Sequence, residues 1–286
     1  MSEWSGRVIG GVGGARYRLG ARLGSTLYRT TPLPSASGYR GTTVLPADGT
    51  PSDADAPLVT KVLAVAPNAL ASDALRSGLE RHVDGLRRVA SPFVVPVRDR
   101  GVVDGRPFVV MDACAGEDAT RPSGPRGPVA MEVIAKAANG LAAIHAEGAL
   151  HGDVRPSHLM VAGAGARWVG FGFARPTFNV FTRRQNLTIV APSLPHWASP
   201  EELAGHERDI HSDLWALAAT AFWLLTGAFP FDGPSPLAIA ERVFRGERAR
   251  AGARWDAVFD RAFATDRRVR FDRALDLARA LTSGAS

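Results

Sequence analysis

Cysteine, lysine and long apolar runs are scarce in this chain of 286 residues. Its one cysteine, Cys114, excludes an internal disulfide and favours a reducing compartment. The longest apolar stretch, at residues 216–225, is much shorter than the roughly 20 residues of a membrane-spanning helix. The first residues, MSEWSGRVIGG, lack the basic start and apolar block of a secretion signal. We therefore expect a soluble, cytoplasmic protein.

The basic residues are almost all arginine. Of the 34 lysines and arginines, only Lys61 and Lys136 are lysines, and the formal net charge is +6, with a pI near 10.3. The arginines are scattered among acidic residues, and no basic run is longer than an Arg-Arg pair. This pattern is typical of a GC-rich bacterial codon preference and a solvated basic surface. It argues against a nucleic-acid partner, which is the alternative interpretation.

The first 112 residues are mostly strand-like in pattern. Residues 15–30 predict two strands joined by a tight turn, and the segment LVTKVLAV predicts another. Apolar residues recur at steps of three and four between Ser72 and Val89, which predicts an amphipathic helix. The remaining predictions here are strands at residues 93–97 and 108–111 and an inserted loop at 31–57, which is rich in Pro, Ser and Asp.

The second half is mostly helical in pattern. A Pro/Gly connector at residues 121–128 precedes a helix predicted at 129–147, and two short strands, LMV and RWV, follow it. The segments DLWALAATAFWLLTG and FDRALDLARALT are helical as well. The sequence thus predicts an α+β protein with a small β-rich half, a larger helical half and a hinge near residues 112–116.

Eight motifs follow one another along the chain. They are RYRLGARLG…LYR, VTK, GRPFVVMDACAGED, IAKAANGLAAIHAEGALHGDVRPSHLMV, WVGFGFAR, LPHWASPEE, HSDLWALAATAFWLLTGAFPFDG and DRRVRFDRALDLARAL. In this order they resemble Hanks-type protein kinases, in the style of bacterial Ser/Thr kinases, over nearly the whole chain. The resemblance implies a bilobal kinase-like fold, with a β-rich N-lobe at residues 1–112, which carries the inserted loop 31–57, and a helical C-lobe at 113–286.

The resemblance implies two contacts that hold the shape of the C-lobe. Glu201 is expected to pair with Arg270, and a buried ion pair of this kind is costly to break. Asp213 is expected to tether the backbone of the catalytic loop from the central helix.

The glycine loop that covers phosphates in this family reads G-x-G-x-x-G, and only Gly24 of that pattern is present. A loop this short does not fold its backbone amides over phosphates in the usual way. An earlier glycine-rich stretch, GGVGG at residues 10–14, is interpreted as a flexible terminus. A substitute glycine loop is the alternative interpretation.

Lys61 occupies the position of the family's phosphate-binding lysine. Because this chain has arginine almost everywhere else, a lysine here favours function over a solvent-facing strand residue. The helix position that should hold its glutamate partner carries His82. Glu80 and Asp84 each lie two positions away, about 200° around a helix, so neither simply replaces that glutamate.

The catalytic loop HGDVRPSH keeps Asp153 at the position of the base, where we expect it to be vestigial. Gly152 replaces the arginine that commonly grips an activation-loop phosphate. His158 and Gly170 replace the two residues that hold the metals. Imidazole is a poor Mg²⁺ ligand compared with oxygen donors, and glycine offers no side chain at all. We therefore expect no metal site.

An apolar adenine pocket is implied by the resemblance and is spaced as such a pocket requires. Core packing between the lobes is the alternative interpretation of the same residues. The residues are Leu27 and Val59 as its roof, Met160 as its floor, Met111 at its back, and the backbone of Asp112 and Cys114 along the hinge.

From these losses the sequence predicts a pseudokinase that is not an enzyme and that acts as a scaffold or allosteric partner of another protein, such as an active kinase. No cofactor is expected to be required, and ATP or ADP would bind without magnesium. The first alternative is an atypical kinase or nucleotide-dependent transferase that uses Lys61 and Asp153. The second is a nucleotide-sensing module.

Overall fold

The computed structural model describes residues 4–12, 14–23, 27–33, 57–63, 73–121, 124–125, 127–163, 165–172 and 195–283. The chain divides into two compact units. The first consists of Met1–Arg88 and Val95–Ala113, and the second of Val89–Val94 and Cys114–Ser286. Within the described part of the chain, no helix is both long and apolar enough to cross a membrane.

The first unit is built on a six-stranded antiparallel sheet whose strand order is β1-β2-β3-β4-β6-β5. A buried apolar cluster that includes Trp4, Tyr28 and Phe108 packs against it. The elements are β1 (Val8–Gly10), β2 (Arg16–Arg22), β3 (Leu27–Leu33), β4 (Leu58–Val62), α1 (Asp73–Arg88), β5 (Val97–Val103) and β6 (Arg106–Asp112). The predicted strand pair at residues 15–30, the lysine strand and the helix are confirmed.

Gly10 and Gly11 of the glycine-rich N-terminal stretch belong to the sheet, so the interpretation of these two residues as part of a flexible terminus is wrong. β1 pairs antiparallel with β2, and Gly11 forms a bridge with Gly101 on β5. A Cβ atom at Gly11 would overlap the buried carboxylate of Asp99, which accepts a hydrogen bond of 2.9 Å from the Tyr17 hydroxyl. Glycine is therefore needed here for a close approach of backbone and side chain.

Two further boundaries differ from the prediction. β3 continues to Leu33, so residues 31–33 belong to a strand and not to the inserted loop, while residues 34–56 lie outside the described part of the chain. β5 begins only at Val97, after a turn and an isolated bridge at Val94. Pro92 and Pro96 flank this segment, and proline cannot donate to a strand ladder, which explains the late start.

The second unit is mostly helical and carries a small sheet of strand order β7-β8-β9. The predicted strands LMV and RWV are confirmed as β8 and β9. The elements are β7 (Glu117–Asp118), α2 (Gly127–Ala146), β8 (Leu159–Ala162), β9 (Gly165–Trp168), α3 (Pro200–Leu203), α4 (Ile210–Thr226), α5 (Pro236–Arg245), α6 (Ala253–Ala262) and α7 (Ala274–Ser283).

The helix α4 is the centre of this unit. Asp209 caps its N-terminus, and Gly227, at φ 75°, ends it in the left-handed conformation that glycine adopts readily. Nearly every residue between Ser212 and Leu224 is buried. A helix that is apolar all round in this way belongs to the interior of a domain, so its first turn is held rigidly by the core.

The predicted pair of Glu201 and Arg270 is confirmed. The guanidinium donates to both carboxylate oxygens, at 2.9 and 3.1 Å, and also to the carbonyl of Ala264. The side chain of Arg270 is 1% exposed. Burial alone would raise the pKa of Glu201, but the hydrogen bonds and charge of Arg270 lower it below its usual value.

The close approach of Gly11 to Asp99 predicts that one added methyl group at residue 11 destabilises the first unit. Gly11→Ala is expected to lower the free energy of unfolding by about 1–3 kcal/mol, because the added carbon overlaps Asp99. Gly10→Ala is the matched control, since a Cβ atom at Gly10 meets nothing within 4 Å. Chemical denaturation of the full chain measures both. Equal stability of the two variants would contradict the contact.

The Glu201–Arg270 pair predicts a large and pH-dependent effect. Arg270→Met is expected to cost about 3–5 kcal/mol, because it leaves a buried carboxylate unpaired. Arg279→Met, which removes the partner of the exposed Asp276, is the control and should cost far less.

The pH dependence has a defined sign. Because the pKa of Glu201 is lowered in the folded state, the pair contributes its stability above the usual glutamate pKa and loses it as pH falls through the folded value. Denaturation curves as a function of pH should therefore converge at acid pH for the native chain and Arg270→Met. A constant difference down to acid pH would contradict this assignment.

Candidate active site

The backbone of the catalytic loop is held by the carboxylate of Asp213, in the first turn of α4. This carboxylate accepts the N–H of His151 at 2.8 Å and of Gly152 at 2.9 Å, and lies 3.0 Å from Nε2 of His145. Burial alone would raise the pKa of Asp213, but the hydrogen bond and charge of His145 outweigh it and lower the pKa. The predicted tether is confirmed, and it is a charged one.

The ring of His151 holds the backbone N–H of Asp153 in place. Its Nε2 lies 3.0 Å from the carbonyl of Val169, which can only accept, so Nε2 carries the proton and Nδ1 accepts the N–H of Asp153 at 3.2 Å. Burial lowers the pKa of His151 to about 4, so the ring is neutral at physiological pH. It packs edge-on against Trp168 and at a tilt against Phe171.

Gly152 lies in the left-handed region at φ 73°, where a larger side chain would be strained. Its carbonyl accepts a hydrogen bond of 2.6 Å from Nη1 of Arg208. Arg208 also lies 3.7 Å from the buried carboxylate of Glu202. A guanidinium therefore does reach this loop, although it comes from the segment between α3 and α4. No sequence motif marks Arg208, so sequence reasoning did not identify it.

Asp153 sits between two basic groups. Its side chain is 11% exposed, with Oδ1 at 3.5 Å from Nε of Arg155 and Oδ2 at 3.4 Å from Nδ1 of His158. An ionised carboxylate has only acceptor positions, which suits a group that takes a proton from a hydroxyl.

The two metal positions do not fit a magnesium ion. His158 lies 2.9 Å through Nδ1 from the carbonyl of Asp153 and 3.0 Å through Nε2 from Nη2 of Arg155, so both ring nitrogens are engaged. Gly170 has no side chain to offer. Among the described residues, no group of three or more His, Cys, Asp and Glu side chains could hold a metal ion.

Four of the predicted nucleotide-binding residues share one face of the first unit's sheet. Leu27 on β3 stands opposite Lys61 on β4, and Val59 on β4 stands opposite Met111 on β6. Val59 and Lys61 are two residues apart on one strand and therefore point to the same side. Directly opposed residues also share a side, so the register brings all four together. Their contact with a nucleotide stays a prediction.

Asp112 is more constrained than the sequence suggested. Its N–H donates to the carbonyl of Pro96 at 3.1 Å, which leaves that N–H engaged within the unit. Its buried carboxylate binds the guanidinium of Arg98 at 2.6 and 2.5 Å. The other predicted contacts are Met160, which is partly buried on β8 of the second unit, Cys114, which is partly buried, and Gly24, which lies outside the described residues.

The acidic residues of α1 are engaged by Arg100 of β5. Nε and Nη2 of Arg100 each lie 2.9 Å from a carboxylate oxygen of Asp84, and Nη1 lies 3.4 Å from Glu80. The hydrogen bond from Arg100 lowers the pKa of Asp84. The expectation that neither acid takes the place of the missing glutamate beside Lys61 stays a prediction. His82 is partly buried on the same helix.

Three comparisons with known proteins agree with one another. Residues 54–268 match the family model of the protein kinase domain. The chain is 33% identical over 227 residues to serine/threonine-protein kinase PknF of Mycobacterium tuberculosis, an alignment that covers 72% of this chain and 46% of that protein. It is 30% identical over 217 residues to serine/threonine-protein kinase PknH of Mycobacterium bovis, covering 71% and 36% respectively. The chain thus spans less than half the length of these relatives.

Solved structures give the same result for the fold. The crystal structure of the Mycobacterium tuberculosis PknI kinase domain is 26% identical, with a TM-score of 0.64, and the match covers 99% of this chain and all of that one. The resemblance to bacterial Ser/Thr kinases and the α+β kinase fold are confirmed. The expectation that the chain is not an enzyme is wrong, because the family model and the named relatives are those of serine/threonine protein kinases.

The Arg208 contact predicts a loss of stability that is centred on the catalytic loop. Arg208→Met is expected to cost about 1.5–3 kcal/mol, since it removes a charge-assisted hydrogen bond to the carbonyl of Gly152. Arg167→Met is the control, because Arg167 also donates to a backbone carbonyl, that of Pro92, but at a more exposed site. Amide exchange at residues 151–153 should accelerate only in Arg208→Met. Unchanged exchange there would contradict the assignment.

Proposed function

The chain belongs to the protein kinase domain family, and we propose that it is an atypical serine/threonine protein kinase that uses Asp153 as its base and Lys61 as a nucleotide contact. Its substrates in this proposal are ATP and a protein that offers a serine or threonine hydroxyl. The relatives PknF and PknH are named for this activity. ATP is held without a magnesium ion bound by the side chains of this chain.

The observation that carries the proposal is the fixed position of Asp153. Its N–H is bound by the neutral ring of His151, and the two residues before it are held by Asp213. A base must be positioned before it can act, and here positioning comes from a buried network and not from substrate.

The reaction proceeds as an in-line displacement. A carboxylate oxygen of Asp153 accepts the proton of the acceptor hydroxyl, and the hydroxyl oxygen forms a bond with the γ-phosphorus of ATP. The bond between that phosphorus and the oxygen bridging to the β-phosphate breaks, and ADP leaves with the electron pair. Lys61 contacts the phosphates with its ammonium group in this proposal.

The rate is expected to be low. Each preorganised charge stabiliser contributes about 10²–10³ to a rate. His158 and Gly170 supply no metal, so we expect turnover on the order of 10⁴-fold below that of a kinase with both metal ligands, which typically turns over at about 1–100 per second.

Transfer of labelled phosphate tests the proposal. The full chain, incubated with γ-labelled ATP and a general protein acceptor in Mg²⁺, in Mn²⁺ and in EDTA, is expected to label serine or threonine slowly. Asp153→Asn should lower the initial rate by about 10²–10⁴-fold, as removal of a base does. Lys61→Met should lower it by about 10²-fold or more.

Lys136→Met is the matched control. Lys136 is the only other lysine, and it pairs with Glu132 on the surface of α2, so its loss should leave the rate unchanged. Absence of labelling under all three conditions, or labelling that persists unchanged in Asp153→Asn, would refute the proposed function.

A further inference from the structure

The peptide unit between Gly152 and Asp153 is held at both of its edges. Its N–H, which belongs to Asp153, donates to Nδ1 of His151 at 3.2 Å. Its C=O, which belongs to Gly152, accepts a hydrogen bond of 2.6 Å from Nη1 of Arg208. The atoms of a peptide unit lie in one plane, and in the trans form these two groups point in opposite directions. The two hydrogen bonds together therefore fix the orientation of the plane that ends at the Cα atom of Asp153.

Arg208 is itself anchored at the start of α3. Its Nε lies 3.7 Å from Oε1 of Glu202, and its side chain is 16% exposed. The other carboxylate oxygen of Glu202 accepts the N–H of Ser199 at 3.1 Å, within the capping box of α3. The guanidinium is therefore held between a buried carboxylate and the carbonyl of Gly152, and both of these partners belong to the second unit.

The guanidinium of Arg208 also fills space beside Gly152. A Cβ atom built at Gly152 would lie 3.5 Å from Nη1 of Arg208 and 3.3 Å from the carbonyl oxygen of Gly172. The N–H of Gly172 donates to the carbonyl of His151 at 2.8 Å, so this second stretch of backbone is bound to the catalytic loop as well. A side chain at residue 152 would begin in contact with the guanidinium. The cation beside this peptide unit thus comes from residue 208 and not from residue 152.

The orientation of this peptide unit decides where the carboxylate of Asp153 lies. The side chain starts at the Cα atom that the peptide unit ends on, so a rotation of the plane moves the carboxylate. If the hydrogen bond to the C=O were lost, the plane would be held only at the edge that His151 binds. A base acts only within hydrogen-bond reach of the proton it takes, and a displacement of about 1 Å costs on the order of 10²-fold in rate.

We propose that Arg208 is a positioning residue for Asp153, which clamps the peptide unit before the base and so sets the place of its carboxylate relative to the acceptor hydroxyl. Arg208 touches neither ATP nor the acceptor in this proposal and acts only through Gly152. The inference rests on the proposed function, because it names what orients the base of the same reaction. It predicts a loss of kcat with little change in the KM for ATP.

Initial rates of phosphate transfer from γ-labelled ATP, measured with the full chain over a range of ATP concentrations, test this split. Arg208→Met is expected to lower kcat by about 10- to 100-fold, the cost of a misplaced base, while the KM for ATP stays within about twofold. Arg208→Lys keeps the charge but lacks the planar fork that reaches both Glu202 and Gly152. It should recover part of kcat and remain at least about threefold below the native chain.

Arg248→Met is the matched control. Arg248 is 3% exposed, and it donates to the carbonyl of Ala249 at 2.7 Å and pairs with Asp256 at 3.0 Å, so its loss destabilises the second unit at a distance from the catalytic loop. Rates are measured well below the melting temperature of each variant, with circular dichroism to verify that it is folded. Arg248→Met should then keep the native kcat.

Three results would overturn the inference. The first is a native kcat in a folded Arg208→Met, and the second is an equal fall of kcat in Arg208→Met and Arg248→Met. If Arg208→Met does not fold, Arg208→Lys decides, and a native kcat in that variant is the third.

The carboxylate of Asp153 can also be followed without turnover. In a chain with isotope-labelled aspartate, its carboxyl carbon resonance is assigned by its absence from the spectrum of Asp153→Asn. Arg208→Met is expected to shift or broaden this resonance clearly more than Arg248→Met does. Equal effects of the two variants would contradict the positioning role.

The two proposals fail separately. An Asp153 resonance that responds to Arg208→Met, in a chain that labels no protein acceptor, would refute the proposed function and leave the positioning role intact. Labelling that depends on Asp153 but proceeds with native kcat in a folded Arg208→Met would overturn this inference and leave the proposed function intact.

Discussion

The carboxylate of Asp213 is the contact on which the candidate site depends. It is a buried charge that binds two consecutive backbone N–H groups, and it stands in the first turn of a helix that the core surrounds. Truncating it would leave those N–H groups without partners, which is costly in a buried site. The position of the catalytic-loop backbone before Asp153 is therefore linked through Asp213 to the packing of α4.

Arginine makes several of the charged contacts within each unit. Arg208 reaches the carbonyl of Gly152, Arg155 engages His158, and in the first unit Arg100 binds two carboxylates of α1. A guanidinium keeps its charge at every physiological pH. Contacts of this kind stay in place without metal or phosphorylation. Contacts made by arginine are therefore permanent, and they cannot be switched by adding or removing a metal ion or a phosphate group.

The helices and strands could be predicted well because the spacing of apolar residues, which indicates them, is a local and repeated pattern. The burial of Val133, Ala137, Leu141 and Ile144 on one face of α2 follows directly from their spacing. The sequence predicted the Glu201–Arg270 pair only through resemblance, since the two residues lie 69 positions apart. Arg208 and the Gly11 contact were missed because each depends on which backbone passes within a few ångströms, and no local pattern records that.

A Cβ atom at Gly170 would lie 2.5 Å from Cγ and Cδ2 of His158, and this steric contact changes how the two missing metal ligands should be counted. From the sequence they are two missing metal ligands, and two independent losses would multiply in their effect on the rate. Residues in direct contact are not independent, and their effects on stability and catalysis do not add. Once the ring fills the space above Gly170, an aspartate there could not bind a metal in any case. A side chain at residue 170 and the ring of His158 exclude each other, so the cost to the rate, on the order of 10⁴-fold, belongs to the pair and not to either residue alone.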